Sequence, residues 1–163
     1  MNTAHYQAIV AAPGFALGVQ CNADEITGIE FLEPCSEQAP TTPLAAEAVR
    51  QLRAYLADPA FSFGLPLRPA GTVFQRRVWG EIAAIPPGKT ECYGALAKNL
   101  KNAPRAVGQA CGANPYPLVV PCHRVIAASG GLGGFNRQGG GFLLEVKRWL
   151  LSHENSQFAA PRP

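Results

Sequence analysis

A thiol, an imidazole and a guanidinium stand side by side in Val119-Val120-Pro121-Cys122-His123-Arg124-Val125, at the end of an apolar run. A thiolate is the strongest nucleophile among the common side chains, and nearby positive charge lowers a thiol's pKa. The run therefore points to covalent chemistry at Cys122. In an extended segment adjacent side chains face opposite ways. Direct contact between Cys122 and His123 is not expected, and a bridging water would carry the proton between them. The plain alternative for Cys122 is a buried structural cysteine, the commonest fate of a free thiol.

The elements that must position this run can be read from the patterning. Tyr6–Ala11, Phe15–Cys21 and Ile26–Leu32 read as strands, punctuated by Pro13-Gly14 and Asn22-Ala23-Asp24. Thr42 is placed to cap a helix with Pro43 at its first position. Ala45, Val49, Leu52 and Leu56 recur at helical spacing until Asp58-Pro59 stops them. Thr72-Val73-Phe74-Gln75 has the form of a capping box, and Phe74, Val78 and Ile82 line one face of the helix it opens. A short helix is predicted over Tyr93–Leu100, another from Pro104 to about Gly112, and a last one over Phe142–His153. The helices from Tyr93 and Pro104 form a helix-turn-helix pattern, whose later helix usually meets DNA. Gly130–Gly141 reads as a loop whose backbone can approach a ligand closely, a flexible loop being the alternative. These elements predict an α/β (α+β) chain: residues 1–66 a β-sheet domain with a helix, 67–71 a linker, and 72–163 a mostly helical domain.

The chain's 163 residues allow one ordinary domain or two small ones, and 47% hydrophobic content supports a core. No apolar run approaches the roughly 20 residues that span a bilayer, and no basic region precedes an apolar segment at the N-terminus. A cytoplasmic protein without a membrane partner is expected. Residues 1–70 hold 3 Lys and Arg against 7 Asp and Glu, while residues 71–163 hold 11 against 4. A basic second half suits a polyanionic partner, with an ordinary solvated basic surface as the alternative. The five cysteines, 21, 35, 92, 111 and 122, form no disulfide or zinc spacing, so reduced thiols and no metal are expected.

Cys122 and its neighbours, with Arg105-Ala106-Val107-Gly108, Asn114-Pro115 and Trp149-Leu150-Leu151-Ser152-His153-Glu154, resemble the O6-alkylguanine-DNA alkyltransferase family. The resemblance runs from about Gly71 to Glu154. It implies a ribonuclease-H-like N-terminal domain and a C-terminal domain with a helix-turn-helix. The implied activity is stoichiometric transfer of an alkyl group from O6-alkylguanine, and O4-alkylthymine, to Cys122, with no cofactor. The implied partner is double-stranded DNA, met through the minor groove by a monomer. By position, His123 deprotonates Cys122 through water and Glu154 orients His123. Arg105 enters the duplex in place of the extruded base, Tyr93 crowds the 3′ phosphate, and small residues Ala106 and Gly108 allow close approach. Asn114 braces the cysteine region, Pro117 lines the base pocket, and the carbonyls of Cys122 and Val125 accept from the guanine amino group. Phe135 covers the base where relatives often have Tyr, Lys147 assists near the active-site loop, and Arg124 bonds inward. The segment between Tyr93 and Arg105 is about two residues shorter than in many relatives, and the loop 136–141 is longer.

Each assignment has a plainer alternative: a helix-end salt bridge for Glu154, a solvated arginine for Arg105, a half-buried core aromatic for Tyr93. Two other functional classes fit part of the pattern. A sensor that binds alkylated bases without repairing them would lack the cysteine. A Cys-His hydrolase or transferase of small molecules would have no use for Arg105.

Overall fold

The computed structural model describes residues 5–127 and 141–154. The chain forms two compact units, Met1–Pro69 and Ala70–Pro163.

In the first unit, β1 (Ala8–Ala12), β2 (Phe15–Cys21) and β3 (Ile26–Leu32) form an antiparallel meander in the order β1-β2-β3. The β1–β2 turn uses Gly14 at φ +83, where a side chain would be strained. Asn22 builds the β2–β3 turn, its Oδ1 accepting from the backbone N–H of Asp24 at 2.9 Å and Glu25 at 2.7 Å. Ile9 pairs with Gly18, and Ala16 with Leu32. Alternation then places these four on one sheet face, where Tyr6, Ile9, Ala16 and Leu32 cluster. Phe15, Leu17 and Val19 point the other way. Helix α1 (Pro43–Ala57) packs against β1 and β2, with Ala45, Ala48, Val49, Leu52 and Tyr55 buried. Thr42 caps it by accepting from Ala45 N–H at 3.1 Å.

The first strand begins at Ala8, two residues later than the alternation suggests. Tyr6 instead folds its ring over Gly18, where even a methyl would lie 2.6 Å from it, and donates its hydroxyl to Glu30 at 2.9 Å. The Pro66–Arg68 segment is tied to the sheet: Ile26 N–H donates to Pro66 at 2.7 Å and Arg68 N–H to Ile26 at 2.9 Å.

In the second unit, helix α2 (Val73–Ala83) opens with the capping box, Thr72 and Gln75 bonding each other's backbone N–H at 3.1 and 2.9 Å. A two-residue strand β4 (Glu91–Cys92) leads into α3 (Tyr93–Leu100), which stops where Lys101 turns left-handed at φ 55. Helix α4 (Pro104–Gly112) follows at once, its first turn pre-set by Pro104. α2 packs on both, and Val78, Ile82, Leu96, Leu100 and Val107 form the interior. Trp79 Nε1 donates to the Ala110 carbonyl at 2.9 Å, which fixes the far end of α4. Strand β5 (Val125–Ile126) pairs in parallel with β4, and α5 (Phe142–His153) completes the unit. The architecture is mixed α/β, with a sheet-bearing first unit and a mostly helical second unit that holds a helix-turn-helix. Among the described residues no helix is long and apolar enough to cross a membrane.

Candidate active site

The site grows from the end of α4. Asn114 lies just beyond it, buried, and uses both ends of its amide. Its Oδ1 accepts from Tyr116 N–H at 2.9 Å, and its Nδ2 donates to the Val120 carbonyl at 2.9 Å and to Cys122 Sγ at 3.3 Å. The loop between is tight. Val120 N–H donates back to Tyr116 at 2.9 Å, Pro117 is buried and bridges Val120, and Leu118 sits at φ 80. A branched residue in the left-handed region is a strained choice that the surrounding bonds must hold.

Cys122-His123-Arg124 is a single turn of 3-10 helix, which corrects the extended conformation expected from the sequence. The reason is local: Arg124 N–H donates to Pro121 at 2.9 Å and Val125 N–H to Cys122, closing the turn before β5 begins. Three residues per turn splay the three side chains about 120° apart. Cys122 turns toward Asn114, while His123 and Arg124 both reach Glu154 from different sides.

Glu154 follows the last turn of α5, an unfavourable place for a carboxylate because the helix C-terminus is itself partly negative. Arg124 compensates. Its Nε donates to one carboxylate oxygen and its Nη2 to the other, both at 2.9 Å. Its Nη1 donates to the Ile85 carbonyl at 2.6 Å. The Pro87-Gly88 turn also approaches this corner; Gly88 has φ +82, and a side chain there would come within 3.1 Å of the Glu154 carbonyl.

His123 Nε2 lies 2.8 Å from Glu154 Oε2, and both side chains are wholly buried. A carboxylate paired with a guanidinium accepts only, so Nε2 carries the hydrogen and Nδ1 the lone pair. His123 Nδ1 has no hydrogen-bond partner among the described residues. Burial lowers the pKa of His123 from its ordinary 6.5, outweighing the upward pull of Glu154, and Arg124 and Lys147 add to the lowering. The ring is therefore neutral at neutral pH and has a free basic nitrogen.

This has a consequence for stability. In the unfolded chain the imidazole titrates near 6.5, and in the fold only at lower pH. Between those values the unfolded chain binds more protons, so stability is full above 6.5 and is lost as pH falls toward the folded value. The denaturant midpoint should drop more steeply for the wild type than for His123→Gln between about pH 8 and about pH 5. Parallel slopes would refute this.

Cys122 is buried, and its thiol is pushed up, against the expectation that flanking positive charge lowers it. Its interaction with the Cys111 thiol and its burial cause the rise. Asn114 and Lys147 pull the other way. The charge of Arg124 is directed at Glu154, so it does nothing comparable for Cys122. Lys147 is also buried, and burial lowers it from 10.5 to about 8. Its Nζ donates to the Val125 carbonyl at 2.7 Å and stands 6.0 Å from the centre of the Tyr93 ring.

Of the other sequence-predicted residues, Tyr93 opens α3 half-buried, and burial pushes its hydroxyl up. A side chain at Gly108 would just touch the Tyr93 ring at 4.0 Å, so the two lie together. Arg105 is exposed in the first turn of α4 and Ala106 is half-buried beside it. Val125 is buried, and its carbonyl already receives Lys147. Phe135 and the loop through Gly140 lie outside the described residues.

Sequence reasoning passed over Cys111, taken there for a scattered thiol. A signal was available: Val107, Ala110, Cys111 and Asn114 follow the spacing of one helix face, and Asn114 had already been singled out.

Residues 73–156 match the family described as 6-O-methylguanine DNA methyltransferase, DNA binding domain. The chain is 48% identical over 112 residues to a methylated-DNA--protein-cysteine methyltransferase of Methanosarcina acetivorans, covering 68% of this chain and 69% of that protein. It is 40% identical to the Mycobacterium tuberculosis protein of the same name, over 96% of this chain and 95% of that one. The crystal structure of Mycobacterium tuberculosis O6-methylguanine methyltransferase matches with a TM-score of 0.77 at 37% identity, covering 98% and 96% of the two chains. Mycobacterium tuberculosis OGT in complex with DNA matches with a TM-score of 0.76 at 37% identity, covering 90% and 91%. With half the chain under the family model and these relatives spanning both units, this chain belongs to the 6-O-methylguanine DNA methyltransferase family.

Proposed function

We propose that this chain repairs alkylated DNA by moving the alkyl group from O6-alkylguanine onto Cys122. The observation that carries this reading is the buried set Cys122, His123 and Glu154, with His123 held at 2.8 Å through Nε2 and its Nδ1 free. A thiol that is pushed up does not ionise alone, so its deprotonation is tied to a base. His123 Nδ1 takes the proton through a bridging water, and Glu154 stabilises the imidazolium that forms. Cys122 Sγ then attacks the alkyl carbon in line, forming a carbon–sulfur bond as the carbon–O6 bond breaks. The proton that left Cys122 ends on the released guanine, so no cofactor is required. The thioether is stable, which makes the reaction single-use. O4-alkylthymine offers the same carbon–oxygen bond to the same thiol.

The reacting carbon must leave the base stack to reach a buried sulfur, at a cost of about a few kcal/mol. Arg105, exposed in the first turn of α4, fills the space left in the duplex. Tyr93, next to Gly108, crowds the 3′ phosphate and favours rotation of the nucleotide. The small residues Ala106 and Gly108 suit approach along the minor groove. Pro117 lines the base pocket, and the carbonyls of Cys122 and Val125 accept from the guanine amino group. Residues 72–163 act as the DNA-binding and alkyl-transfer domain, as a cytoplasmic monomer, and residues 1–66 support them.

Intact-protein mass spectrometry after incubation with duplex DNA holding one O6-methylguanine tests the reading. One added methyl group on Cys122 is the expected result. Lesion binding with no mass change would instead make the chain a sensor. Arg105→Ala should slow repair of duplex DNA by about tenfold or more while leaving reaction with a free base substrate within about twofold. Equal losses on both substrates would exclude the finger role.

A further inference from the structure

The run Trp149-Leu150-Leu151-Ser152-His153-Glu154 gives the proposed transfer one residue, Glu154. Trp149 and His153 stand four positions apart, so they share one flank of α5. Their rings stack, with centroids 4.7 Å apart and planes 15° from parallel. Both residues are half-buried, while Leu150, Leu151 and Glu154 are buried. The stack spans the last turn of the helix, where backbone carbonyls run out of intrahelical partners and fraying begins. Glu154 directly follows that turn, and its N–H donates to the Leu150 carbonyl at 3.1 Å. Its carboxylate must meet His123 Nε2 at 2.8 Å and two Arg124 nitrogens at 2.9 Å at once. Those partners sit on the 3-10 turn, and α5 sets where Glu154 starts. Unwinding of the last turn would carry the carboxylate away from both.

We propose that His153, stacked on Trp149, is a positioning residue for the alkyl transfer: the pair clamps the last turn of α5 and thereby holds the Glu154 carboxylate on His123. His153 acts only through Glu154. Glu154 in turn fixes the ring that receives the Cys122 proton. A misplacement of about 1 Å in such a chain can cost about a hundredfold in rate. The stack is suited to this task because a ring pair one helical turn apart stiffens the helix end without entering the site. An aromatic ring at position 153 is what the clamp needs, and the imidazole nitrogens are not.

The kinetic part of this inference rests on the proposed transfer, so the experiment also reads the hydrogen bond directly. The full chain and its variants would be followed by NMR through the His123 Nε2–H, assigned by its loss in His123→Gln. Single-turnover transfer from an O6-methylguanine duplex would be measured alongside. In the wild type this buried N–H should exchange slowly with water. His153→Ala and His153→Gln should speed its exchange and slow transfer, each by about tenfold or more. His153→Phe, which keeps a stacking ring, should restore both to within about threefold of the wild type. Added to His123→Gln, His153→Ala should slow transfer by no more than about twofold further, because the route through the imidazole is already gone. Unchanged exchange in His153→Ala, or equal slowing of transfer in both backgrounds, would overturn the proposal. If the wild type transfers no methyl group, the proposed function fails, while the exchange rates still decide whether His153 holds Glu154 in place.

Discussion

Cys122→Ser is expected to abolish alkyl transfer, with a rate loss of at least about four orders of magnitude. The hydroxyl holds its proton far more tightly than a thiol, and neutral His123 is too weak a base to remove it. Oxygen is also the poorer nucleophile toward saturated carbon. The fold should survive, because serine is close in size and Asn114 Nδ2 can still donate where it now reaches Sγ at 3.3 Å. Stability should change by no more than about 1 kcal/mol. Intact mass after incubation with an O6-methylguanine duplex would show no added methyl group, while thermal unfolding stays near the wild type. Methyl transfer in this variant, to Cys111 or any other residue, would displace Cys122 as acceptor.

Glu154→Gln should cost both stability and activity. Glu154 receives Arg124 at 2.9 Å on each oxygen and His123 at 2.8 Å, with no solvent access to its side chain. Glutamine keeps the shape but removes the charge, leaving the Arg124 guanidinium buried without its counter-ion. Breaking one side of a buried pair costs about 3–5 kcal/mol. Transfer should also slow by about two to four orders of magnitude, because His123 loses the group that stabilises its charged form. Denaturant unfolding measures the first effect, and single-turnover transfer under native conditions the second. Arg124→Met combined with Glu154→Gln should lose clearly less stability than the two single changes together, since their penalties share one cause. A stability loss below about 1 kcal/mol for Glu154→Gln would mean that the pair contributes little.

Local rules were legible. The Thr72–Gln75 capping box, the Pro43 and Pro104 helix starts, the limits of β2 and β3, and the end of α1 before Pro59 each depend on residues within a few positions. The mixed α/β class and the helix-turn-helix followed from summing such signals. Tyr6 is an instructive departure: its alternation suits a strand, yet its ring was needed to cover Gly18, a demand set by a neighbouring strand.

What the sequence by itself determined, then, was the family and the identity of the residues able to do chemistry, because motif and spacing are one-dimensional properties. Only the tertiary structure decided how those residues meet. It turned Cys122-His123-Arg124 into a 3-10 turn, gave Arg124 to Glu154 and Ile85, and gave the Val125 carbonyl to Lys147. It also reversed the expected effect on the thiol, since burial and a second thiol raise it where adjacent positive residues in the sequence suggested the opposite. Hydrogen bonds and desolvation depend on distance and direction between segments far apart in the chain, and those quantities exist only once the chain has folded.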